Sequence, residues 1–139
     1  VTLMIPQAID LSVAEGNSIE FDFTADLKSL VSGLEKLNAV ILSYRSNVPW
    51  FLSISAGTEH FAGGDPSKPM PASLVQFRRN GTGTYSAIST VPASLSGSSS
   101  AKNSRGSATI SIDYKIVPGF GYPSSNDYSI GITYTVSSI

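Results

Sequence analysis

The sequence predicts an all-β protein built from two stacked sheets, and three observations carry that prediction. Apolar and polar residues alternate over most of the chain, which is typical of strands with one buried face. Turn residues separate these stretches at intervals of about 8–15 residues. The helical period of about 3.6 residues occurs in one segment alone. The pattern therefore favours an immunoglobulin-like two-sheet sandwich of about 7–9 strands with one short helix near residues 26–37.

Length and composition indicate a single folded domain covering residues 1–139. Hydrophobic residues make up 41% of the chain, which is enough for a core and argues against disorder. Charged residues make up only 14%, the net charge is -1, and Lys and Arg are nowhere clustered as phosphate binding requires. Apolar runs are far shorter than the ~20 residues of a membrane span. We expect neither a nucleic-acid partner nor insertion into a membrane.

The first part of the chain is predicted to form short strands at residues 2–5, 9–13 and 18–24. Pro6 separates the first two, and because proline cannot donate to a ladder it suits an edge position. Residues 1–6 are therefore predicted as an edge strand or as a strand exchanged with another subunit. In residues 18–24 the apolar side chains face one way and the acidic ones the other, namely Ile19, Phe21 and Phe23 against Glu20 and Asp22.

Residues 25–37 break this pattern with a helical stripe made of Leu27, Leu30, Val31, Leu34 and Leu37. Thr24 or Asp26 is a suitable N-cap for such a helix. Gly33 lies inside it and costs about 1 kcal/mol relative to Ala, so we expect a short helix. Its predicted role is a crossover packed over one end of the sandwich, and a partner-binding helix is the alternative.

The rest of the chain is predicted as strands separated by two long loops. Residues 38–44 and 50–56 flank a turn and are interpreted as a hairpin. Four more strands follow, at residues 74–78, 84–88, 108–117 and 127–136. Gly and Pro indicate a loop over residues 60–71, and Ser and Gly indicate another over residues 94–107. The predicted core consists of Phe21, Phe23, Ile41, Trp50, Leu52, Ile112, Ile130, Ile132 and Tyr134.

The sequence contains no recognisable catalytic or metal-binding constellation. It has no cysteine and a single histidine, His60, which falls in a loop without a nucleophile motif and cannot by itself hold zinc. Glu20 and Asp22 have a spacing that glycosidase carboxylates can adopt, but the outer face of an amphipathic strand explains them as well. Asp65 stands alone, without the further ligands of a calcium loop. We therefore predict no enzyme activity, catalytic residue, metal or cofactor.

Aromatic residues in two loops are the candidates for ligand binding. Phe61 lies in the first loop, and Phe120 and Tyr122 lie in a later turn rich in Gly and Pro. Exposed rings at this kind of position can stack on sugar rings, and they can equally close the end of a core. A surface glycan is therefore a candidate partner. Asn80-Gly81-Thr82 is formally a glycosylation sequon, but Asn-Gly is favoured in tight turns and we interpret it as a turn.

The strands near the two ends of the sequence are the candidates for subunit contacts. Val1, Leu3 and Ile5 alternate at the beginning, and Ile9 and Leu11 continue the apolar side of the next strand. Such a strand can close its own sandwich or complete a neighbour's sheet through main-chain pairing. We predict self-association of identical subunits through these five residues.

Several phrases of the sequence also support a family resemblance. They are Ser46-Asn47 followed by residues 50–56, Met70-Pro71-Ala72-Ser73, residues 113–123, Asp127-Tyr128-Ser129 and Ile132-Thr133-Tyr134-Thr135. Taken in order, they resemble secreted β-sandwich surface proteins of Bacteroidetes-type bacteria and, more loosely, pilin-like and coat-protein modules. The resemblance implies a surface or fibre component and no catalytic residues.

A surface rich in Ser and Thr and poor in charge is typical of extracellular β-proteins, and the sequence begins at Val1 rather than at Met. We therefore expect a protein of the cell surface or the exterior, in its form after removal of a signal peptide. The predicted function is a structural subunit or adhesion module that assembles into a fibre or pilus by addition of a terminal strand. A carbohydrate-binding module is the alternative, and a small hydrolase based on Glu20 and Asp22 is a third.

Overall fold

A computed structural model describes residues 1–81, 83–95 and 106–138 of the chain, without the side chain of Ser138. The described part is an antiparallel two-sheet sandwich, so the all-β prediction is confirmed. Its strands are β1 (Ile9–Glu15), β2 (Leu34–Ser46), β3 (Trp50–Ala56), β4 (Val75–Arg79), β5 (Ser86–Ala87), β6 (Ala93–Ser94), β7 (Gly106–Ile116) and β8 (Ile132–Ser138). One sheet has the order β1-β2-β7-β4-β5 and the other has the order β6-β3-β8.

The core lies between the central strands of the two sheets. Alternate residues of β3 and β7 face inward, and Trp50, Leu52 and Ile112 are at most 1% exposed, as predicted. Across the core, the hydroxyls of Tyr114 on β7 and Tyr134 on β8 are 2.6 Å apart and hydrogen-bonded. The other predicted core residues are only half-buried: Phe21, Phe23, Ile41, Ile130, Ile132 and Tyr134.

The two strands predicted as a hairpin lie in different sheets, so that prediction is wrong. β2 pairs with β1 and β7, whereas β3 pairs with β6 and β8. The connection is a corner at which the buried Ser46 hydroxyl donates to the carbonyl oxygen of Val48 (2.6 Å) and accepts from its N–H (3.2 Å). Because these bonds turn the chain away from the first sheet, β3 starts a second layer.

The predicted helix is reduced to one turn, α1 (Ser29–Ser32). Residues from Leu34 onward form β2, beginning with the pair Leu34 and Ile116, so the helix prediction is wrong for the second half of the segment. Gly33, at φ 85°, ends the turn, and a Cβ there would lie 2.6 Å from the Val117 side chain. Of the two predicted caps, Asp26 accepts the N–H of Lys28 through its carboxylate at 3.0 Å and the N–H of Ser29 through its carbonyl oxygen at 3.1 Å, directly before α1.

Other predicted strands also differ from the observed ones. Residues 2–5 and 18–24 pair with no strand in the described part of the chain, and the last strand begins at Ile132 instead of residue 127. Of residues 84–88, only Ser86–Ala87 forms a strand. In residues 18–24, Asp22 explains why no strand forms. Its carboxylate accepts both the N–H and the hydroxyl of Thr24, at 2.9 and 2.6 Å. Such local bonds compete with a sheet ladder. Ile19 and Phe21 still pack against the core.

The predicted loop at residues 94–107 lies mostly outside the described residues. Where it is described, Ser94 belongs to β6, and residues 106 and 107 belong to β7. The loop at residues 60–71 has no strand or helix, apart from single bridges between His60 and Pro71 and between Ala62 and Ser129. Among the described helices, none has the length and apolar character required to cross a membrane.

Candidate functional site

The exposed apolar residues at the start of the sequence form the clearest candidate site. Residues 1–5, the N-terminal segment, belong to no strand and carry no charged side chain. Val1 is fully exposed, and Leu3 is 79%, Met4 89% and Ile5 72% exposed. Apolar side chains this exposed are costly unless a partner covers them.

Asn47 fixes the direction in which this segment leaves the sandwich. Its Nδ2 donates to the carbonyl oxygen of Pro6 at 2.7 Å, and its Oδ1 accepts from the N–H of Ala8 at 2.8 Å. The backbone N–H of Asn47 also donates to the carbonyl oxygen of Ala8 at 3.1 Å. Residues 6–8 therefore continue β1 past the end of β2, and the N-terminal segment extends beyond the sheet.

The remaining two interface candidates lie within the subunit's own sandwich. Ile9 and Leu11 are residues of β1, opposite Ser46 and Tyr44 of β2, and both are half-buried against the core. The five predicted interface residues thus divide into an exposed group, Val1, Leu3 and Ile5, and a packed group, Ile9 and Leu11.

Two adjacent sheet edges face this side of the molecule. β1 is one edge of the larger sheet, opposite the two-residue edge strand β5, and β8 is one edge of the smaller sheet, opposite the two-residue edge strand β6; β1 and β8 are in contact. On the core-facing side, the residues of both edges are only half-buried, unlike those of β3 and β7: Ile9, Leu11 and Val13 on β1, and Ile132, Tyr134 and Val136 on β8. We call this strip between β1 and β8 the seam.

The backbone of β3 shows which groups of β8 are free. Residues in a strand direct their N–H and C=O groups alternately to the two neighbours. The carbonyl oxygen of Leu52 accepts from Leu95 beside β6, whereas the N–H of Gly57 donates to Gly131 beside β8. The odd-numbered residues of β3 therefore bond to β8, and the even-numbered ones bond on the β6 side.

It follows that the backbone N–H and C=O groups of Thr135, which lies opposite Ser53, point toward β3. The next residues along β8 alternate, so the N–H and C=O groups of Ile132, Tyr134 and Val136 point to the open edge. Among the described strands, β8 pairs with β3 alone. An open row of donors and acceptors of this kind is a template for another strand.

The aromatic candidates are placed differently from one another. Phe61 is half-buried against the core, and its N–H donates to the carbonyl oxygen of Met70 at 2.8 Å. Tyr122 is half-buried, whereas Phe120 is 72% exposed next to Gly119, whose N–H donates to the carbonyl oxygen of Leu30 at 2.7 Å. Of the three, Phe120 presents the largest exposed fraction to a ligand.

A polar network that the sequence analysis missed lies on the outer face of the larger sheet. Asp113 on β7 is fully buried and accepts from Arg78 Nε at 2.8 Å, from the Asn80 side chain at 3.0 Å and from the N–H of Asn38 at 2.7 Å. Burial by itself raises the pKa of Asp113, but these hydrogen bonds outweigh it and hold the pKa below its usual value. Alternation places Asp113 on the polar face, but no sequence signal shows that other side chains cover it.

The network extends to Tyr85, which lies 4.4 Å from the Arg78 guanidinium and donates to Glu35 at 2.8 Å. Burial, followed by the hydrogen bond to Glu35, raises the pKa of Tyr85 to about 12. Asn80 is the asparagine of the formal sequon, and its amide is already bonded to Asp113. Since the charged groups are bonded to one another, this arrangement is suited to holding strands together.

The acidic residues considered for catalysis lie beside a shallow depression of about 480 Å³ lined by Glu20, Asp22, Leu34, Glu35 and Lys36. Hydrogen bonds from Thr24 lower the pKa of Asp22, which favours the carboxylate over a proton-donating acid. His60 lies in its loop, where the Thr58 hydroxyl donates to the His60 carbonyl oxygen. In the described ranges, no three His, Cys, Asp or Glu side chains are grouped closely enough to hold a metal ion.

Neither a known protein-family pattern nor a curated protein sequence matches this chain. The described residues define a two-sheet β-sandwich with open edges.

Proposed function

We propose that this protein is a non-enzymatic extracellular structural subunit that assembles with copies of itself when the N-terminal segment adds to a sheet edge. A single observation carries the proposal: an uncharged apolar segment projects from the sandwich, held at its base by Asn47. The segment has the strand period, with Val1, Leu3 and Ile5 able to face one way. Main-chain pairing would supply affinity, and these side chains would supply specificity.

The energy of this contact favours assembly that depends on concentration. Burying three aliphatic side chains contributes about 1.5–3 kcal/mol each. Fixing five backbone residues costs about 1–2 kcal/mol each, which is of the same size. Each ladder hydrogen bond adds a net ~0.5–1.5 kcal/mol, and the loss of translational and rotational freedom on association opposes it, so assembly is expected at high protein concentration.

The contact joins two different surfaces of the same chain, a projecting segment and an edge. Contacts of this heterologous type repeat from one copy to the next and form open filaments unless the rotation closes a ring. A fibre is therefore the proposed assembly. Two features of the composition support the extracellular assignment: charged residues make up only 14% of the chain, and Ser and Thr are abundant.

Sedimentation velocity over a range of concentrations tests the proposal. We expect oligomers that grow with concentration, and we expect a chain lacking residues 1–5 to remain monomeric. The variant Thr2→Ser is the matched control and should assemble like the parent, because it changes the segment without removing an apolar side chain. A parent chain that stays monomeric at millimolar concentration would refute the proposal.

A second candidate is a carbohydrate-binding module, which the exposure of Phe120 favours. An exposed ring can stack on a sugar ring, and half-buried Tyr122 lies two residues away. Glycan-array binding that disappears in both Phe120→Ala and Tyr122→Ala, but persists in Phe61→Leu, would support this function. Absence of binding to every polysaccharide would dismiss it.

A further inference from the structure

We infer that the acceptor for the N-terminal segment is the open edge of β8 at the seam, occupied by Val1, Leu3 and Ile5 of a second copy. This inference rests on the proposed function and adds to it the identity of the acceptor surface. It requires that β8 be a better acceptor than β1 and that the segment not fold back onto its own chain.

The residues of the two edges distinguish them. β1 carries Asp10 and Glu15 and has a register shift between Val13 and Glu15, and Asp10 forms an ion pair with Arg45 at 2.8 Å. Charges and bulges are the devices by which natural sheets block edge pairing. β8 has neither: its sequence, Ile132–Ser138, contains no charge and no proline, and its register with β3 is continuous. The unprotected edge is therefore β8.

The seam also matches the segment in chemistry. Neither the N-terminal segment nor β8 carries a charged side chain, so pairing the two strands neither opposes like-charged side chains nor buries one. A strand added to β8 places alternate side chains on the core side, next to half-buried Ile132, Tyr134 and Val136. Val1, Leu3 and Ile5 have the spacing needed to fill that strip and cover the residues that β1 and β8 leave half-exposed.

Trp50 provides a second observation at the same place. It is opposite Ser138 of β8, and its ring centroid is 4.7 Å from that of Tyr44, the residue opposite Leu11 of β1. Its indole N–H is buried and has no hydrogen-bond partner among the described residues. Such a donor is costly unless it is paired. Trp50 is fully buried and one strand away from the open edge of β8, so its indole reports on the packing beneath the seam and is not a contact of the added strand.

Residues 6–8, which connect the N-terminal segment to β1, direct the segment toward a second copy of the chain. For a chain to reach its own seam, residues 6–8 would have to reverse direction, but Asn47 holds both Pro6 and Ala8 in line with β1. A second copy is therefore the occupant.

Disulfide trapping tests the acceptor directly, because the chain has no cysteine of its own. Full-length Met4→Cys chains carrying a size tag are mixed with untagged Thr133→Cys or Thr135→Cys chains and oxidised. Met4 and these two threonines are expected on the same outer face of the new pair. Ser12→Cys on β1 is the matched control, since Ser12 is exposed at the corresponding position of the other edge.

We expect the mixed disulfide with residue 133 or 135 to form at least tenfold more than the one with residue 12. More coupling to residue 12, or oligomers without coupling at 133 or 135, would overturn the β8 assignment while leaving self-assembly intact. Monomers without any coupling would refute the proposed function itself. These two failures are therefore distinguishable.

The fluorescence of Trp50, the sole tryptophan, provides an independent readout in the unmodified protein. We expect its emission maximum to shift with concentration in parallel with oligomer formation, and to stay at the monomer value in Leu3→Glu. Oligomers that form with no change in emission would contradict insertion at the seam.

Discussion

Asp113 accepts a hydrogen bond of 2.7 Å from the backbone N–H of Asn38, a residue 75 positions away on the neighbouring strand. Asn38 has a positive φ of 52° and lies where the register between β2 and β7 shifts. A non-glycine residue rarely adopts this conformation without support. The carboxylate therefore stabilises the bulge after which Val40 and Leu42 turn toward the core.

Removing that carboxylate should destabilise the fold strongly. In Asp113→Ala, the Arg78 guanidinium loses its buried partner, so we expect the free energy of unfolding to fall by about 3–5 kcal/mol. Asp10→Ala is the matched control, because its ion pair with Arg45 is exposed and worth at most ~1 kcal/mol. Urea denaturation compares the two, and equal losses would contradict the role given to Asp113.

Stability should fall in acid partly because of the same residue. The pKa of Asp113 is lower in the folded chain than its unfolded value of about 3.9, so its contribution is complete above that pH. The contribution is lost as the pH falls through the folded pKa. We expect the urea midpoint of the parent to drop more steeply than that of Asp113→Asn as the pH falls below about 4. Parallel curves would show that Asp113 does not contribute.

The Tyr85 hydroxyl should lose its proton at a higher pH than an ordinary tyrosine hydroxyl. Its pKa of about 12 reflects burial and the hydrogen bond to Glu35, so the parent should lose this proton well above the usual value of about 10. In Glu35→Gln the negative charge is gone, and we expect the pKa to fall. Absorbance titration of each chain against its own Tyr85→Phe derivative isolates this residue. An unchanged pKa in Glu35→Gln would contradict the assigned contact.

Hydrogen exchange can measure how strongly the side chain of Asn47 stabilises residues 6–8 through its hydrogen bonds to Pro6 and Ala8. In Asn47→Ala the N–H of Ala8 loses its side-chain acceptor, so we expect its hydrogen exchange to accelerate about tenfold or more. The variant Asn17→Ala serves as the control at another exposed asparagine. Unchanged protection of Ala8 in Asn47→Ala would mean that another group holds this part of the chain.

Two glycines with similar dihedral angles should respond differently to substitution. A Cβ at Gly64, φ 67°, would lie 2.2 Å from the Tyr128 ring, whereas a Cβ at Gly81, φ 88°, meets nothing within 4 Å. Both variants to Ala carry backbone strain of about 1–2 kcal/mol. Gly64→Ala adds overpacking of about 1–3 kcal/mol. Thermal unfolding should therefore separate the two, and equal melting temperatures would contradict this packing.

Alternation in the sequence predicted β3, β4 and β7 well, because their apolar side chains recur at every second residue and face the core. It failed where local bonds or long-range pairing decide the structure. Residues 18–24 alternate equally well, but the Asp22 turn keeps them out of a sheet. Leu34 begins a strand despite its place in a helical stripe, since pairing with β7 outweighs a weak local preference.

The candidate site was predictable in part for the same reason. The apolar period of Val1, Leu3 and Ile5 is visible in the sequence and predicts an edge or exchanged strand, but their exposure is visible only in the structure. The acceptor was not, because the open edge of β8 depends on which strands become neighbours. Asn47 is likewise an ordinary turn residue in the sequence, and only the fold places it beside Pro6 and Ala8.

The corner at Ser46 also has a consequence during synthesis. Because the chain changes sheets there, Trp50 finds its partner Ser138 only 138 − 50 = 88 positions later. At roughly 5–20 residues per second, a ribosome needs about 4–18 s to cover that distance. During that interval β3 is without β8, the strand that pairs with one of its edges. Newly made chains are therefore most prone to aggregation before β8 has been synthesised.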